Sequence, residues 1–265
     1  MGMSADKVDA VVLAGAPALT ARLRRAPAEA GADAPPRAMI AIGGKTMLQW
    51  VVDALRRSHT IGRVRAVGDV RADGLDEVIA ATGDFLGNVL AGVESTAASG
   101  AKSVLLVTSD IPLVTEDGID DFVTRASAVG ADFCYPIIPK SDCIEKYPGI
   151  RRTYLKLREG TFAGGNLIFA SVGFLMENRD LIARAHESRK SIFRLAGMIG
   201  WGVLARVIAA QFIYRAAVDI PALERAASKL LKGNVRAVIT SYAEIGEDVD
   251  KPDDLAAVER LLAAG

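Results

Sequence analysis

Cysteine and histidine are scarce in this 265-residue chain: Cys134 and Cys143, His59 and His186, and no others. Two thiols cannot complete a zinc site by themselves, and they do not make a disulfide framework. A reduced, cytoplasmic setting therefore fits. The lack of histidine argues against a histidine-ligated metal and against a Ser-His-Asp hydrolase. His59 closes a helical pattern and His186 lies in a polar one, so both are expected at the surface. Charge of either sign in excess is also absent. Lys+Arg and Asp+Glu are both 32, the formal net charge is zero, and no long block of like charge occurs. Wholesale nucleic-acid binding is not expected from that balance. The first residues, Met-Gly-Met-Ser-Ala-Asp-Lys, lack the apolar core of a signal peptide.

What the chain has is apolar content, 51% of its residues. That suffices for one large domain or for one domain with an elaborated insert. We expect a single domain over 1–265, with 139–215 as an insert, lid and helical region. The organising stretch is Ser103 to Leu113, Ser-Val-Leu-Leu-Val-Thr-Ser-Asp-Ile-Pro-Leu. Val104 to Val107 reads as a strand buried on both faces, which calls for a parallel sheet. Pro112 ends it, leaving Asp110 just past its carboxyl end, the edge where open α/β sheets bind ligands. A carboxylate there can hold a divalent cation; it can equally cap the helix expected from Thr115.

Val8 to Leu13 is a second buried strand, running into Ala14-Gly15-Ala16-Pro17. Ala18 to Pro36 reads as a long loop, of the kind that carries function. Ala38 to Ile42 is expected as a strand and Met47 to Arg57 as a helix. Gly43-Gly44-Lys45-Thr46 resembles the end of a P-loop, but Met39 stands where that motif needs its first glycine. Val64–Gly68 and Glu77–Ala80 read as strands, Gly83–Asn88 as a loop, Val89–Ala98 and Thr115–Ala128 as helices, and Asp132–Ile138 as a strand. This alternation predicts an α/β fold with a doubly wound, mostly parallel sheet.

Pro139 to Gly165 breaks the rhythm. Six cations, Arg151 and Arg152 among them, are interleaved with Tyr147 and Tyr154, and Gly164-Gly165-Asn166 follows. The stretch is either a solvated hairpin or a cover over an anionic substrate. We favour the cover, because glycines permit close backbone approach. Phe174–Ser188 and Ile192–Tyr214 read as helical. Leu195 to Phe212 carries only Arg206 as a charge, but glycines interrupt it. It reads as short helices packed on the sheet or on a partner subunit, which leaves a homodimer open and does not favour membrane-surface contact. Val235–Ile239 is a late strand, and Pro252 opens a last helix through Leu262.

Four short motifs occur in a fixed order: Val-Val-Leu-Ala-Gly at 11–15, Ala38 to Leu48, Ser-Asp-Ile-Pro-Leu at 109–113, and Asp-Val-Asp-Lys-Pro-Asp-Asp-Leu at 248–255. In these the chain resembles the MobA-like NTP transferases, nucleotidyltransferases with a GT-A/Rossmann-like fold. The likeness runs from about Val8 to Leu262. It implies attack on the α-phosphorus of a nucleoside triphosphate by a small phosphorylated acceptor, with loss of pyrophosphate. It further implies nucleotide binding by Leu13, Ala14, Gly15 and Ala16, with Gly87 and Asn88 near base and ribose. By the same likeness Asp110 and Asp250 hold Mg²⁺, and Arg37 acts with them in catalysis. Gly164, Gly165 and Asn166, with Arg151, Arg152, Arg189 and Lys190, face the acceptor. Three positions depart from the family pattern. Ala16 replaces a second glycine, Arg37 replaces a lysine, and the arginine usual a few residues after the glycines has only Arg22 or Arg24 to stand for it. All three fall on the triphosphate side. The alternative they leave is a catalytically weak nucleotide-binding protein of this fold that acts through a partner.

Overall fold

The apolar runs of the sequence form the middle of one sheet. The structure is a computed structural model, and it describes residues 7–15, 36–150, 152–182 and 218–264. β1 (Val8–Leu13) is followed by a small hairpin of β2 (Ala41–Ile42) and β3 (Lys45–Thr46), then α1 (Met47–Arg57), β4 (Ile61–Val67) and β5 (Glu77–Ile79). Next come α2 (Phe85–Ala98), β6 (Ser103–Thr108), α3 (Glu116–Val129), β7 (Phe133–Pro139) and α4 (Lys140–Lys146). The chain continues with β8 (Leu155–Leu157), β9 (Gly160–Gly164), β10 (Leu167–Ser171), α5 (Val172–Glu177), α6 (Ile220–Leu231), β11 (Val235–Ile239) and α7 (Pro252–Ala264).

Among the described residues the main sheet has nine strands, in the order β5-β4-β1-β6-β10-β7-β9-β8, with β11 paired to β7. The half from β5 to β6 is parallel. β10 runs antiparallel between β6 and β7, and β11 lies parallel to β7. Side chains alternate across this sheet. Leu105 and Val107 pack with α1 and α3 on one face, while Val104 and Leu106 pack with α2 and α5 on the other. Burying each such residue stabilises the fold by about 1.5–3 kcal/mol, which is why unbroken apolar runs settle at the centre. The architecture is thus the doubly wound, mostly parallel α/β sheet expected. No described helix is long and apolar enough to cross a membrane.

The local differences have physical causes. Residues 38–42 are not one strand: a 3₁₀ turn at Arg37–Met39 precedes β2, and Gly43 (φ 57°) and Gly44 (φ 83°) reverse the chain into β3. Lys45 pairs with Asp53 at 2.5 Å and lies over the Trp50 ring, while Thr46 caps α1, so the Gly-Gly-Lys-Thr string serves the fold. α2 begins earlier than expected, because Asp84 accepts from Gly87 N and nucleates the helix there. Gly87 and Asn88 therefore lie in its first turn. Residues 139–165 contain α4 and the β8–β9 hairpin, which joins the main sheet through β7. α6 was not anticipated; Asp219 caps it ahead of Pro221, a start signal that follows directly on the long apolar stretch. The helix expected over 174–188 is described only to residue 182, with α5 ending at Glu177. The helices expected over 192–214, and the loop over 18–35, lie outside the described residues.

Candidate functional site

Parallel pairing of β1 with β6 sets Leu13 beside Thr108, so Ala14-Gly15 and Ser109-Asp110 leave the sheet at the same edge. The helix-capping alternative for Asp110 does not hold, because the cap of α3 is Thr115, whose hydroxyl accepts from Gly118 N at 3.2 Å. Asp110 instead turns toward the segment preceding α7. Its carbonyl accepts from Val249 N at 2.9 Å, locking the two loops together. Val249 is fully buried against Ile42, Met47 and Val258. Asp248 and Asp250, one residue to either side, point the opposite way, as in any extended segment. One carboxylate oxygen from each of Asp110, Asp248 and Asp250 lies within 4.8 Å of the other two. α7 is capped by a different acid: Asp254 accepts from Asp250 N at 3.1 Å and Lys251 N at 2.8 Å. That leaves the Asp250 side chain to the cluster.

Arg37 reaches the same place from 213 residues away. Its Nη2 donates to Asp250 Oδ1 at 2.7 Å, lies 3.2 Å from Asp110 Oδ2, and also donates to the Val249 carbonyl. Asp110 Oδ1 and Arg37 Nε are both buried without a hydrogen-bond partner, as are Thr108 Oγ1 and Glu247 Oε1. Burial, with Asp250 and Asp110 nearby, pushes the Asp248 carboxyl up to about 6. Three hard oxygen donors, one with a buried unpartnered oxygen, fit an oxygen-ligated divalent cation.

Asp248 and Asp250 open onto a cavity of about 1110 Å³, also lined by Tyr135, Arg152, Tyr154 and Gly164-Gly165-Asn166. The two glycines and Asn166 lie where the chain passes from β9 into β10. Gly165 N donates to the Pro136 carbonyl at 3.0 Å and Asn166 N to the Ile245 carbonyl at 2.9 Å. A Cβ on Gly165 would stand 2.7 Å from Ile245 and 2.8 Å from Pro136, so no other residue fits without displacement.

Arg152 differs from the expectation of a cation free to meet an anionic acceptor. Its guanidinium is buried, pairs with Glu247 Oε1 at 3.2 Å and reaches the Gly164 carbonyl at 3.4 Å. It lies flat on Gly246, where a Cβ would stand 2.2 Å from Nη2. Burial dominates at Glu247 even beside this arginine, and its carboxyl is pushed up to about 7.

On the other side of Asp110, Gly15 packs on Asn88: a Cβ on Gly15 would stand 2.5 Å from Asn88 Nδ2. Asn88 is buried, and its Oδ1 accepts from Thr82 N at 2.8 Å and Thr82 Oγ1 at 3.1 Å. It thus braces the loop before α2 rather than presenting an acceptor to a base. Gly68 supports the same loop from beneath. At φ 152° it has backbone of Ala14 and Gly15 within 2.9 Å of where a Cβ would be. The structure brings Leu13, Ala14, Gly15, Gly87 and Asn88 together at one edge, and Arg37, Asp110 and Asp250 into one cluster. Ala16, Arg151, Arg189 and Lys190 lie outside the described residues. From the sequence Asp248 is only an alternative acid to Asp250, and Glu247, Gly68 and Gly246 were not singled out. For Asp248 the Asp-Val-Asp alternation was a usable signal, whereas Glu247, Gly68 and Gly246 depend on contacts that only the fold creates.

Comparison with known proteins places this geometry. The family model for the MobA-like NTP transferase domain matches residues 10–242. A solved structure of a hypothetical transferase from Thermus thermophilus is 30% identical, with a TM-score of 0.77, covering 94% of this chain and 99% of that one. The 2-C-methyl-D-erythritol 4-phosphate cytidylyltransferase from Thermus thermophilus shares the fold at 16% identity and a TM-score of 0.54, covering 97% and 99% of the two chains. A CMP:2-keto-3-deoxy-manno-octonic acid synthetase complexed with CTP does so at 12% identity and a TM-score of 0.54, covering 98% and 99%. No curated protein sequence matches the chain. With the family model spanning most of the sequence, the chain belongs to the MobA-like NTP transferase domain family.

Proposed function

We propose that the protein transfers a nucleotidyl group from a nucleoside triphosphate to a small phosphorylated acceptor, with Mg²⁺ and release of pyrophosphate. The observation that carries this is the convergence of Asp110, Asp248 and Asp250 at the carboxyl end of β6, where Asp248 and Asp250 line the cavity that Gly164-Gly165-Asn166 also line. Asp110 and Asp250 are the metal ligands in this reading, with Asp248 beside them. A divalent cation held there supplies charge neutralisation at the triphosphate, the main requirement of phosphoryl chemistry. Leu13 to Gly15 approach the nucleotide by backbone, and the Gly15–Asn88 contact keeps that loop in place. Arg37 contributes a permanent positive charge. The β9–β10 junction and the walls around Tyr135 and Tyr154 receive the acceptor, and Arg152 shapes that wall from behind. The relative complexed with CTP supports a nucleotide ligand, and the erythritol 4-phosphate enzyme supports a phosphorylated acceptor.

Pyrophosphate release, measured over a panel of four nucleoside triphosphates and a set of sugar and polyol phosphates, tests this. Metal-dependent release with at least one pair is expected, and Asp110→Asn should abolish it while leaving thermal unfolding nearly unchanged. Saturable nucleotide binding with no turnover on any acceptor would support the partner-acting alternative instead.

A further inference from the structure

We propose that Arg37 is the resident counter-cation of the carboxylate cluster, so that Arg37 and a divalent metal are alternative occupants of one position. This rests on the reading of Asp110 and Asp250 as metal ligands. The geometry is direct. Arg37 Nη2 lies 2.7 Å from Asp250 Oδ1 and 3.2 Å from Asp110 Oδ2. A magnesium ion bonds oxygen at about 2.0–2.1 Å. An ion bonded to both of those oxygens would lie within about 5 Å of Nη2, close enough for the two positive charges to repel strongly in this partly buried place.

The arginine also carries marks of a side chain with more than one seat. Its Nε is buried with no hydrogen-bond partner, an N–H that costs free energy in this pose. Asp110 Oδ1, beside the ion pair, is likewise buried and unpartnered, so the arginine does not satisfy the cluster either. A metal would engage that free oxygen. A triphosphate at Ala14-Gly15 would offer the departing, planar guanidinium the multidentate oxygen partner it favours. Arg37 follows directly on Pro36, and its side chain alone spans to the cluster, so the exchange needs rotamer changes and no movement of the sheet. Metal and nucleotide therefore load together. Metal alone must displace Arg37 without compensation, while nucleotide gives Arg37 a second partner and frees the carboxylates. Linkage makes this reciprocal, so metal should tighten nucleotide binding by the same factor.

The test is a titration of the nucleotide-free protein with Mn²⁺, free ion being followed by electron paramagnetic resonance. Wild type, Arg37→Met and Arg37→Lys are compared. Arg37→Met removes the competing charge and should tighten Mn²⁺ binding by about tenfold, a size usual for coupling between sites. Arg37→Lys keeps the charge and should stay near wild type. Arg37→Gln is the second neutral variant should Arg37→Met not fold, as judged by circular dichroism. Equal or weaker Mn²⁺ binding by the neutral variants, with wild type binding normally, overturns the proposal and leaves the metal ligands standing. Absence of Mn²⁺ binding in every variant, with a nucleoside triphosphate analogue present or not, overturns the metal reading itself.

Discussion

Arg152 shows how little a residue's charge says about its task. From the sequence it belongs to a cationic, tyrosine-rich cover, and an anion-binding role is the natural expectation. In the fold its guanidinium is enclosed by Glu247, Gly246 and the Gly164 carbonyl. Removing one partner of a buried ion pair costs about 3–5 kcal/mol, because the other charge stays behind. Arg152→Ala should lower the unfolding midpoint by less than that, because Glu247, already raised to about 7, can take up a proton, and adding Glu247→Gln should recover part of the loss. A variant of unchanged stability but raised acceptor KM would return Arg152 to the acceptor. The same enclosure explains what could not be read beforehand. Asp110 was legible because it ends a buried run, and Asp250 because it precedes Lys-Pro in a family motif. The pairing of Arg37 with both crosses 213 residues for Asp250, and no local pattern encodes it.

Among the elements, β6, β11 and α7 were legible to within two residues. Each has a short-range cause: an apolar run bounded by polar residues, or proline at a helix start. The β8–β9 hairpin was open only as a solvated one, and it is not solvated: Leu157, Phe162 and Ala163 are buried, and its pairing with β7 is a long-range contact. Gly68 belongs at this scale too, since it lets β4 close beneath the loop leaving β1. Gly68→Ala would set a Cβ 2.8 Å from the Ala14 carbonyl carbon, against backbone that cannot step aside. We expect a loss of about 1–3 kcal/mol, typical of overpacking. Nucleotide affinity should fall as well, because Ala14-Gly15 must shift. Denaturant unfolding and a nucleotide titration check the two effects, and unchanged affinity would detach that loop from the nucleotide.

Across the whole molecule, the carboxylates gathered behind α7 oppose folding near neutral pH. Glu247 is raised from 4.5 to about 7 and Asp248 from 3.8 to about 6, in each case mainly by burial. Between the ordinary and the raised values the folded protein binds more protons than the unfolded chain. Stability from these groups is therefore full below about pH 4 and is lost as pH rises toward about 7. Glu247→Gln removes one of the two titrations, so its unfolding midpoint should fall less steeply than wild type over that range. Parallel pH profiles would show that Glu247 ionises normally in the folded protein. A divalent cation opposes the effect by favouring the ionised forms, and added Mg²⁺ with nucleotide should flatten the wild-type profile.

Asp110 and Asp250, brought to one sheet edge from far apart in sequence, are proposed to hold the metal that carries the nucleotide. Crystals grown with Mn²⁺ and a non-hydrolysable nucleoside triphosphate analogue test it most directly through the anomalous scattering of manganese. A peak is expected between the Asp110 and Asp250 carboxylates, with the triphosphate against Ala14-Gly15 and Arg37 withdrawn from both acids. Nucleotide bound with no manganese peak at those carboxylates, or with Arg37 still seated between them, would contradict it.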